Sequence, residues 1–165
     1  MRRIILHWTA GTNYPNSVDL EHYHYLIDKN GKLYNGKFSV SANENCRSDK
    51  KGKVLYAAHT GGGNTGSIGL AVCGMAKFDG KIESTKYPLT VVQLEKMFSF
   101  CAELCKKYNI PITSGTVLTH YEFGKAYPKT SSCGKIDITC LPPYPYLLKN
   151  QVGDFLRANI KQYFC

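Results

Sequence analysis

Three short apolar segments predict β-strands. Residues 3–9 are mostly apolar and β-prone, and the glycine and asparagine within 11–13 end the segment. Residues 67–75 form a continuous run of small and apolar side chains, which is typical of a strand buried on both faces. Residues 116–119 form the third segment, and His120 follows them directly. The pattern therefore predicts three strands, of which the first two are buried.

The region between the first two strands predicts a hairpin and a long loop. Residues 23–28 and 32–34 are β-prone and flank Asn30-Gly31, a pair that tolerates the positive φ angles of tight turns. Residues 38–66 are polar and rich in glycine, so we expect mostly loop there.

Two helices are predicted in the second half of the chain. Thr90 and Gln93 match the capping-box pattern, in which both side chains satisfy free backbone N–H groups at a helix start. Apolar side chains then recur at helical spacing until Pro111 ends the segment. Residues 147–162 predict a closing helix. Strands interleaved with helices indicate an α/β fold with a mixed central β-sheet flanked by helices.

Length and composition indicate one globular domain. A chain of 165 residues can bury one substantial core but is short for two domains, so we expect a single domain over residues 1–165. Its apolar share of 43% and charged share of 20% are close to globular averages, which excludes disorder, collagen and coiled coil. No segment has the roughly 18–20 consecutive apolar residues of a membrane-spanning helix, so we expect no stable membrane insertion.

The N-terminus predicts where the chain is made, and the cysteine count predicts whether its thiols are reduced. The apolar run after Arg3 is too short for the core of a signal peptide, so we expect synthesis in the cytoplasm. Seven cysteines are an odd number and, without a signal peptide, predict mostly reduced thiols. Since no two of them have CxxC spacing, a zinc finger or ribbon is not predicted.

The net charge of +9 predicts attraction to a polyanion, which can be nucleic acid, anionic lipid or an acidic cell-wall polymer. The lysines are scattered along the chain and form no dense arm or basic helix. This distribution argues against a nucleic-acid-binding protein, which needs a focused basic face.

Two histidines at predicted strand ends are candidate metal ligands. His7 lies near the end of the first strand, and His120 follows the third. Together with an oxygen or sulfur ligand from a loop, they can supply the three protein ligands of a catalytic zinc site that keeps one position open. The chain has five histidines, so spacing alone selects no triplet.

Five sequence blocks occur in order along nearly the whole chain. They are Ile5-Leu6-His7-Trp8-Thr9-Ala10, then Tyr23-His24-Tyr25-Leu26-Ile27-Asp28 leading into Asn30-Gly31, then His59-Thr60-Gly61-Gly62-Gly63-Asn64 leading into Ser67-Ile68-Gly69, then Leu118-Thr119-His120-Tyr121-Glu122, and last Gly134-Lys135-Ile136-Asp137. In content, order and separation these blocks resemble those of the type 2 N-acetylmuramoyl-L-alanine amidases. Short phage endolysins and peptidoglycan recognition proteins share this family.

The resemblance implies a zinc centre. By position, His7, His120 and Asp137 are the implied ligands of a Zn²⁺ ion. Two neutral imidazoles and one carboxylate leave zinc with residual positive charge, which can lower the pKa of a bound water to about 7 and polarise an amide carbonyl. This donor set is therefore compatible with hydrolysis of an amide at neutral pH.

The resemblance also implies residues around the metal. Tyr23 and Lys135 are the implied catalytic side chains, because a phenol or an ammonium near the metal can stabilise the oxyanion of a tetrahedral intermediate. Lys135 precedes Asp137 by two, so in an extended loop both side chains point the same way. His59 and Asn64 are expected to bind substrate, beside glycines that let backbone approach a peptide or sugar closely.

The general base remains open at the level of sequence. Some members of the family carry a glutamate base in the strand after the Ser-Ile-Gly block, where this chain has Ala71 or Val72. Tyr23 is then the better candidate for orienting water or stabilising charge. Glu122 lies close to His120 and can be a base, although a solvated or capping role is favoured.

The third metal ligand has two rivals. Other members of the family use a cysteine, so Cys133 and Cys140 are alternatives. Asp137 is favoured over both because it alone lies two residues after Lys135.

The resemblance implies hydrolysis of the amide between N-acetylmuramic acid and L-alanine in peptidoglycan. We expect a monomeric phage or prophage endolysin that acts on the periplasmic or extracellular cell wall. The main rival is a non-catalytic peptidoglycan-binding module of the same fold. A glycosidase is disfavoured, because no pair of carboxylates stands out to flank a sugar bond.

Overall fold

The computed structural model describes residues 1–164 of the chain. The strands and helices follow in the order β1 (Arg3–Trp8), α1 (Ser17–His22), β2 (Tyr25–Ile27), β3 (Leu33–Asn35), β4 (Ser67–Val72), α2 (Val91–Tyr108), β5 (Val117–Thr119), α3 (His120–Ala126) and α4 (Val152–Gln162). Short 3-10 helices cover Val40–Asn43 and Ile82–Ser84.

The five strands form one mixed sheet in the order β3-β2-β4-β1-β5. Strand β1 pairs in parallel with β4 and β5, β2 pairs in parallel with β4, and β3 pairs antiparallel with β2. Strands β1 and β5 therefore end at the same edge of the sheet. This edge brings His7, near the end of β1, close to His120, which directly follows β5. The predicted α/β fold with a mixed sheet is confirmed.

The two faces of β1 pack against different parts of the molecule. Ile4 and Leu6 lie in the main core, which also contains the buried sides of α2 and α4. Ile5 lies on the opposite face and packs with Phe123 of α3. Successive side chains of a strand alternate between faces, so His7 shares the face of Ile5. The main core therefore packs against one face of the sheet, and His7 lies on the opposite face.

Helix α2 is anchored to the sheet at its first turn. The Thr90 hydroxyl accepts a hydrogen bond from the Gln93 amide and donates one to the Lys29 carbonyl. The Gln93 side chain donates to the carbonyls of Ile27 and Cys73, the residues that end β2 and follow β4. The predicted helix and its capping box are confirmed, and the cap also positions the helix on the sheet.

We expect Thr90→Ala to reduce the free energy of unfolding by about 1 kcal/mol, because the substitution removes the N-cap hydroxyl. For a chain of this size, this lowers Tm by about 2–4 °C in a thermal melt. Thr90→Ser keeps the hydroxyl and should retain most of the stability. An alanine variant as stable as the serine variant would contradict the anchoring role.

Two short helices lie where the sequence pattern predicts no helix. Helix α1 begins after Asn16 and α3 begins after Thr119, and each has a complete capping box. Tyr23, expected at the start of a hairpin strand, instead ends α1, and β2 begins at Tyr25. The hairpin with its turn at Gly31, where φ is +81°, is otherwise as predicted.

Two predicted elements are shorter than expected. Strand β4 ends at Val72 rather than Met75, because Gly74 and Met75 adopt positive φ and turn the chain away from the sheet. The closing helix begins at Val152 rather than 147, since the preceding residues form turns.

Among the described residues, none of the helices combines the length and the apolar character needed to cross a membrane.

Candidate metal centre

Three side chains converge at the edge of the sheet where β1 and β5 end. His7 is fully buried in β1, His120 is the first residue of α3, and Asp137 lies in the loop after α3. Oδ2 of Asp137 lies 2.8 Å from Nδ1 of His7 and 3.1 Å from Nδ1 of His120. One potential ligand atom from each residue lies within 4.8 Å of the others.

The far nitrogen of His120 is held by a serine. Nε2 of His120 lies 2.9 Å from the Ser132 hydroxyl, which donates a hydrogen bond of 2.8 Å to the Gly61 carbonyl. Because the serine has only one proton and uses it for the carbonyl, it must accept from His120. This contact favours the tautomer with the proton on Nε2, which leaves the lone pair of Nδ1 available to a metal ion beside Asp137.

The far nitrogen of His7 has an equivalent environment. Nε2 of His7 lies 3.2 Å from Nδ1 of His59 and 3.3 Å from the Thr60 hydroxyl. Nε2 of His59 faces the Ser67 carbonyl, so it carries the proton and Nδ1 of His59 accepts. Nδ1 of His59 also lies 2.8 Å from the Thr60 hydroxyl, and this environment is compatible with a His7 ring that donates from Nε2 and offers the lone pair of Nδ1 to a metal ion.

The electrostatics of the cluster disfavour a proton at its centre. Burial lowers the pKa of His7 to about 4, although the contact with Asp137 acts to raise it. Burial acts to raise the pKa of Asp137, but the contacts with His120 and His7 outweigh it and lower the pKa overall. A neutral His7 imidazole and an ionised Asp137 carboxylate thus converge with the His120 ring. This donor set fits a divalent cation such as zinc.

A cavity of about 680 Å³ opens over this cluster. Its walls combine the cluster with aromatic, apolar and cationic side chains. They include Trp8, Tyr23, His59, Met75, Lys77, Phe78, Ser131 and Lys135. Asp137 is the one carboxylate among the described residues that line it. Sequence reasoning did not single out Lys77, which adopts a left-handed backbone conformation at the rim.

The two side chains implied to be catalytic both line the cavity. Tyr23 follows α1, and its ring centroid lies 5.1 Å from that of His7. Burial raises the pKa of the Tyr23 phenol well above its ordinary value, so the hydroxyl remains protonated and can donate a hydrogen bond. Lys135 is exposed and lines the cavity together with Asp137.

The two residues expected to bind substrate have different positions. His59 lines the cavity but is buried, and its ring fits against Gly69, where a Cβ would come within 2.5 Å of the ring. Asn64 does not belong to the described cavity lining; its side-chain oxygen accepts from the Thr60 amide and closes the 60–64 turn. Whether either residue contacts substrate stays a prediction.

A buried polar network holds the loop that carries His59. Nδ1 of His24 accepts from the Gly69 amide, and its Nε2 donates to the Asn43 side chain. The Asn43 amide in turn donates to the carbonyls of Ala57 and Asn64. His24 therefore stabilises the loop that carries His59 and is not part of the metal cluster.

The alternatives for the general base are engaged elsewhere. Glu122 caps α3 by accepting from the Thr119 amide, and both of its oxygens accept from Arg157. Ala71 and Val72, at the strand position of the family's glutamate, are fully buried in β4. The capping role favoured for Glu122 is thus the one that the structure has.

The alternative third ligands lie apart from the histidines. Cys133 is exposed, Cys140 is half-buried, and neither lines the cavity. Burial raises the pKa of the Cys140 thiol to about 11, which disfavours the thiolate that binds zinc. The structure brings Asp137, and not these cysteines, together with His7 and His120.

The sheet topology and the histidine–aspartate cluster at its edge define an α/β domain with a candidate metal centre. The chain matches the family model of the N-acetylmuramoyl-L-alanine amidases over residues 1–135, and it belongs to that family. The match includes His7, His120 and Lys135 and ends two residues before Asp137. No curated protein matches the chain.

Several solved structures are similar to this protein in fold. A mutant of PlyL aligns with a TM-score of 0.53 at 20% identity, covering 97% of this chain and 84% of PlyL. The N-acetylmuramoyl-L-alanine amidase LysC from Clostridium intestinale URNW aligns with a TM-score of 0.46 at 20% identity, covering 72% and 69%. The Drosophila peptidoglycan recognition protein SD aligns with a TM-score of 0.46 at 20% identity, covering 79% and 74%. The likeness to PlyL supports the α/β fold assignment.

Proposed function

We propose that the protein is a zinc-dependent amidase that hydrolyses the bond between the lactyl group of N-acetylmuramic acid and L-alanine in peptidoglycan. The observation that carries this proposal is the convergence of His7, His120 and Asp137 at the base of a cavity, in a chain of the amidase family. Zinc bound by these residues would act as a Lewis acid that polarises the scissile carbonyl and makes a water molecule more acidic.

Lys135 and Tyr23 would stabilise the charge that develops during the reaction. Attack on the amide places a negative charge on the former carbonyl oxygen. The Lys135 ammonium, in the cavity wall, can stabilise this charge. The protonated Tyr23 phenol can donate a hydrogen bond to the same oxygen or orient the attacking water. Both interactions are stronger in the transition state than in the bound substrate, which is the condition for catalysis.

His59 is proposed to act at the floor of the cavity, where its contact with His7 helps to fix the ligand ring. The pKa of His59 is lowered well below its ordinary value, chiefly by burial, so the ring is neutral and can accept from His7. Asn64 is proposed to contribute to substrate binding by holding the glycine-rich 60–64 turn, because its side-chain oxygen accepts from the Thr60 amide.

The biological role that we propose is that of a phage or prophage endolysin. Residues 1–165 would form one catalytic domain that works as a monomer on the cell wall. The net charge of +9 would hold the enzyme near an anionic envelope, so lysis should slow as salt screens that attraction.

The test is digestion of purified peptidoglycan with and without a chelator. We expect new L-alanine amino termini and no new reducing sugars, because an amidase breaks the lactyl–alanine amide and leaves the glycan intact. Zinc should restore the activity that a chelator removes. Reducing sugars without amino termini would overturn the assignment, and binding to murein without any cleavage would instead identify a binding module.

A further inference from the structure

A second groove lies beside the catalytic cavity. It has a volume of about 330 Å³, and the segment 134–136 separates it from the cavity and lines both. On its other side the groove is lined by Tyr121 and Lys125 of α3 and by Lys149. The Tyr121 backbone amide donates to the Asp137 carbonyl, so a hydrogen bond links the groove to the loop that carries this metal-site residue.

Two ammonium groups are held over one aromatic ring in this groove. Nζ of Lys149 lies 4.2 Å from the centroid of Tyr121, and Nζ of Lys125 lies 5.7 Å from it. Among the described residues, neither lysine forms a salt bridge. The carboxylate next to Tyr121 in sequence, Glu122, is already paired with Arg157 at 2.9 Å. The described lining of the groove contains a third lysine, Lys135, and no carboxylate, whereas Glu122 borders the adjacent pocket. The groove itself is therefore positively charged.

Lysines that line one groove without a carboxylate favour a bound anion. Each ammonium carries three donors, and the ring limits where the two lysine side chains lie. A carboxylate that enters the groove would relieve the repulsion and accept hydrogen bonds from both lysines. We propose that Tyr121, Lys125 and Lys149 form a subsite that binds a carboxylate of the peptide stem of the substrate.

The continuity of the groove with the cavity favours the stem peptide as the source of the anion. This inference rests on the proposed amidase function, in which the scissile amide lies over Asp137 and the stem continues away from it. A peptide chain leaving the cavity can pass over Ile136, which is 44% exposed and lines both spaces, and so reach the groove. Stem peptides carry free carboxylates after the first alanine, so a carboxylate can follow the scissile amide into the groove.

The test compares substrates with free and with amidated stem carboxylates. For Lys125→Gln/Lys149→Gln we expect kcat/KM on a soluble muropeptide with free carboxylates to fall about tenfold at low ionic strength, the effect of losing two exposed charge pairs. On the amidated muropeptide the variant should match the parent protein. The control Lys50→Gln/Lys51→Gln removes the same charge from an exposed turn and should change neither rate.

Three outcomes would overturn the subsite. The first is an equal loss on both muropeptides, and the second is no loss on either. The third is a loss that appears only on whole walls and vanishes once their phosphate polymers are removed, which would identify those polymers as the anion.

A binding measurement separates this inference from the proposed function. We expect a stem peptide without its sugar to bind the parent protein in a calorimetric titration, and the double variant to bind it about tenfold more weakly. If the parent protein binds the stem but cleaves no peptidoglycan, the amidase proposal fails and the subsite stands. If it cleaves peptidoglycan and both proteins bind the stem equally, only the subsite fails.

Discussion

Asp137→Asn is expected to reduce kcat on peptidoglycan by about a thousandfold or more. The substitution keeps the size of the side chain but removes the negative charge that faces Nδ1 of both histidines. Metal polarisation of a carbonyl contributes several kcal/mol to transition-state stabilisation, and about 4 kcal/mol corresponds to a thousandfold change in rate. The measurement is the initial rate of release of L-alanine amino termini by proteins loaded with zinc.

The metal content of the same variant distinguishes a ligand from a residue that contacts only substrate. After dialysis we expect the parent protein to retain one zinc per chain and Asp137→Asn to retain far less. Asp49→Asn, which removes an exposed carboxylate from a distant turn, should keep both zinc and activity. If Asp137→Asn keeps stoichiometric zinc and a rate within tenfold of the parent protein, Asp137 is not a ligand.

The elements that could be predicted are those with a long or continuous pattern. Helix α2 has 18 residues, so its apolar stripe repeats over several turns. Strand β4 is buried along its whole length and reads as an unbroken apolar run. Helices α1 and α3 have only 6 and 7 residues, too few for such a stripe. Their capping boxes were readable in the sequence, and would have indicated a helix start at each.

The candidate metal centre could be predicted only in part. Spacing offered many triplets of histidine and acidic residues, and the family resemblance, not periodicity, selected His7, His120 and Asp137. Ser132 and Thr60 were missed because their contacts are tertiary. Ser132 lies 71 residues from the Gly61 carbonyl to which it donates, and Thr60 lies 53 residues from His7. No local pattern encodes such contacts, although Thr60 lies within one block that the resemblance uses and Ser132 lies near another.

Ser132 provides the second prediction with a large effect. Its hydroxyl accepts from Nε2 of His120 and donates to Gly61, and the residue is fully buried. We expect Ser132→Ala to weaken zinc binding by about 10- to 100-fold, because partners that orient a ligand histidine commonly contribute that much to metal affinity. Without the serine, His120 can place its proton on Nδ1, the nitrogen that must face the metal. The measurement is a competition titration of zinc against a chromophoric chelator.

The matched control is Ser131→Ala, which changes the neighbouring residue of the cavity wall and should leave zinc affinity unchanged. Nitrogen chemical shifts of the His120 ring provide a readout that loss of packing alone would not alter. In the parent protein they should report a proton on Nε2, and in Ser132→Ala a mixture of the two tautomers. If Ser132→Ala lowers Tm but retains both the zinc affinity and the single tautomer, the serine supports the loop at Gly61 and does not orient the ligand.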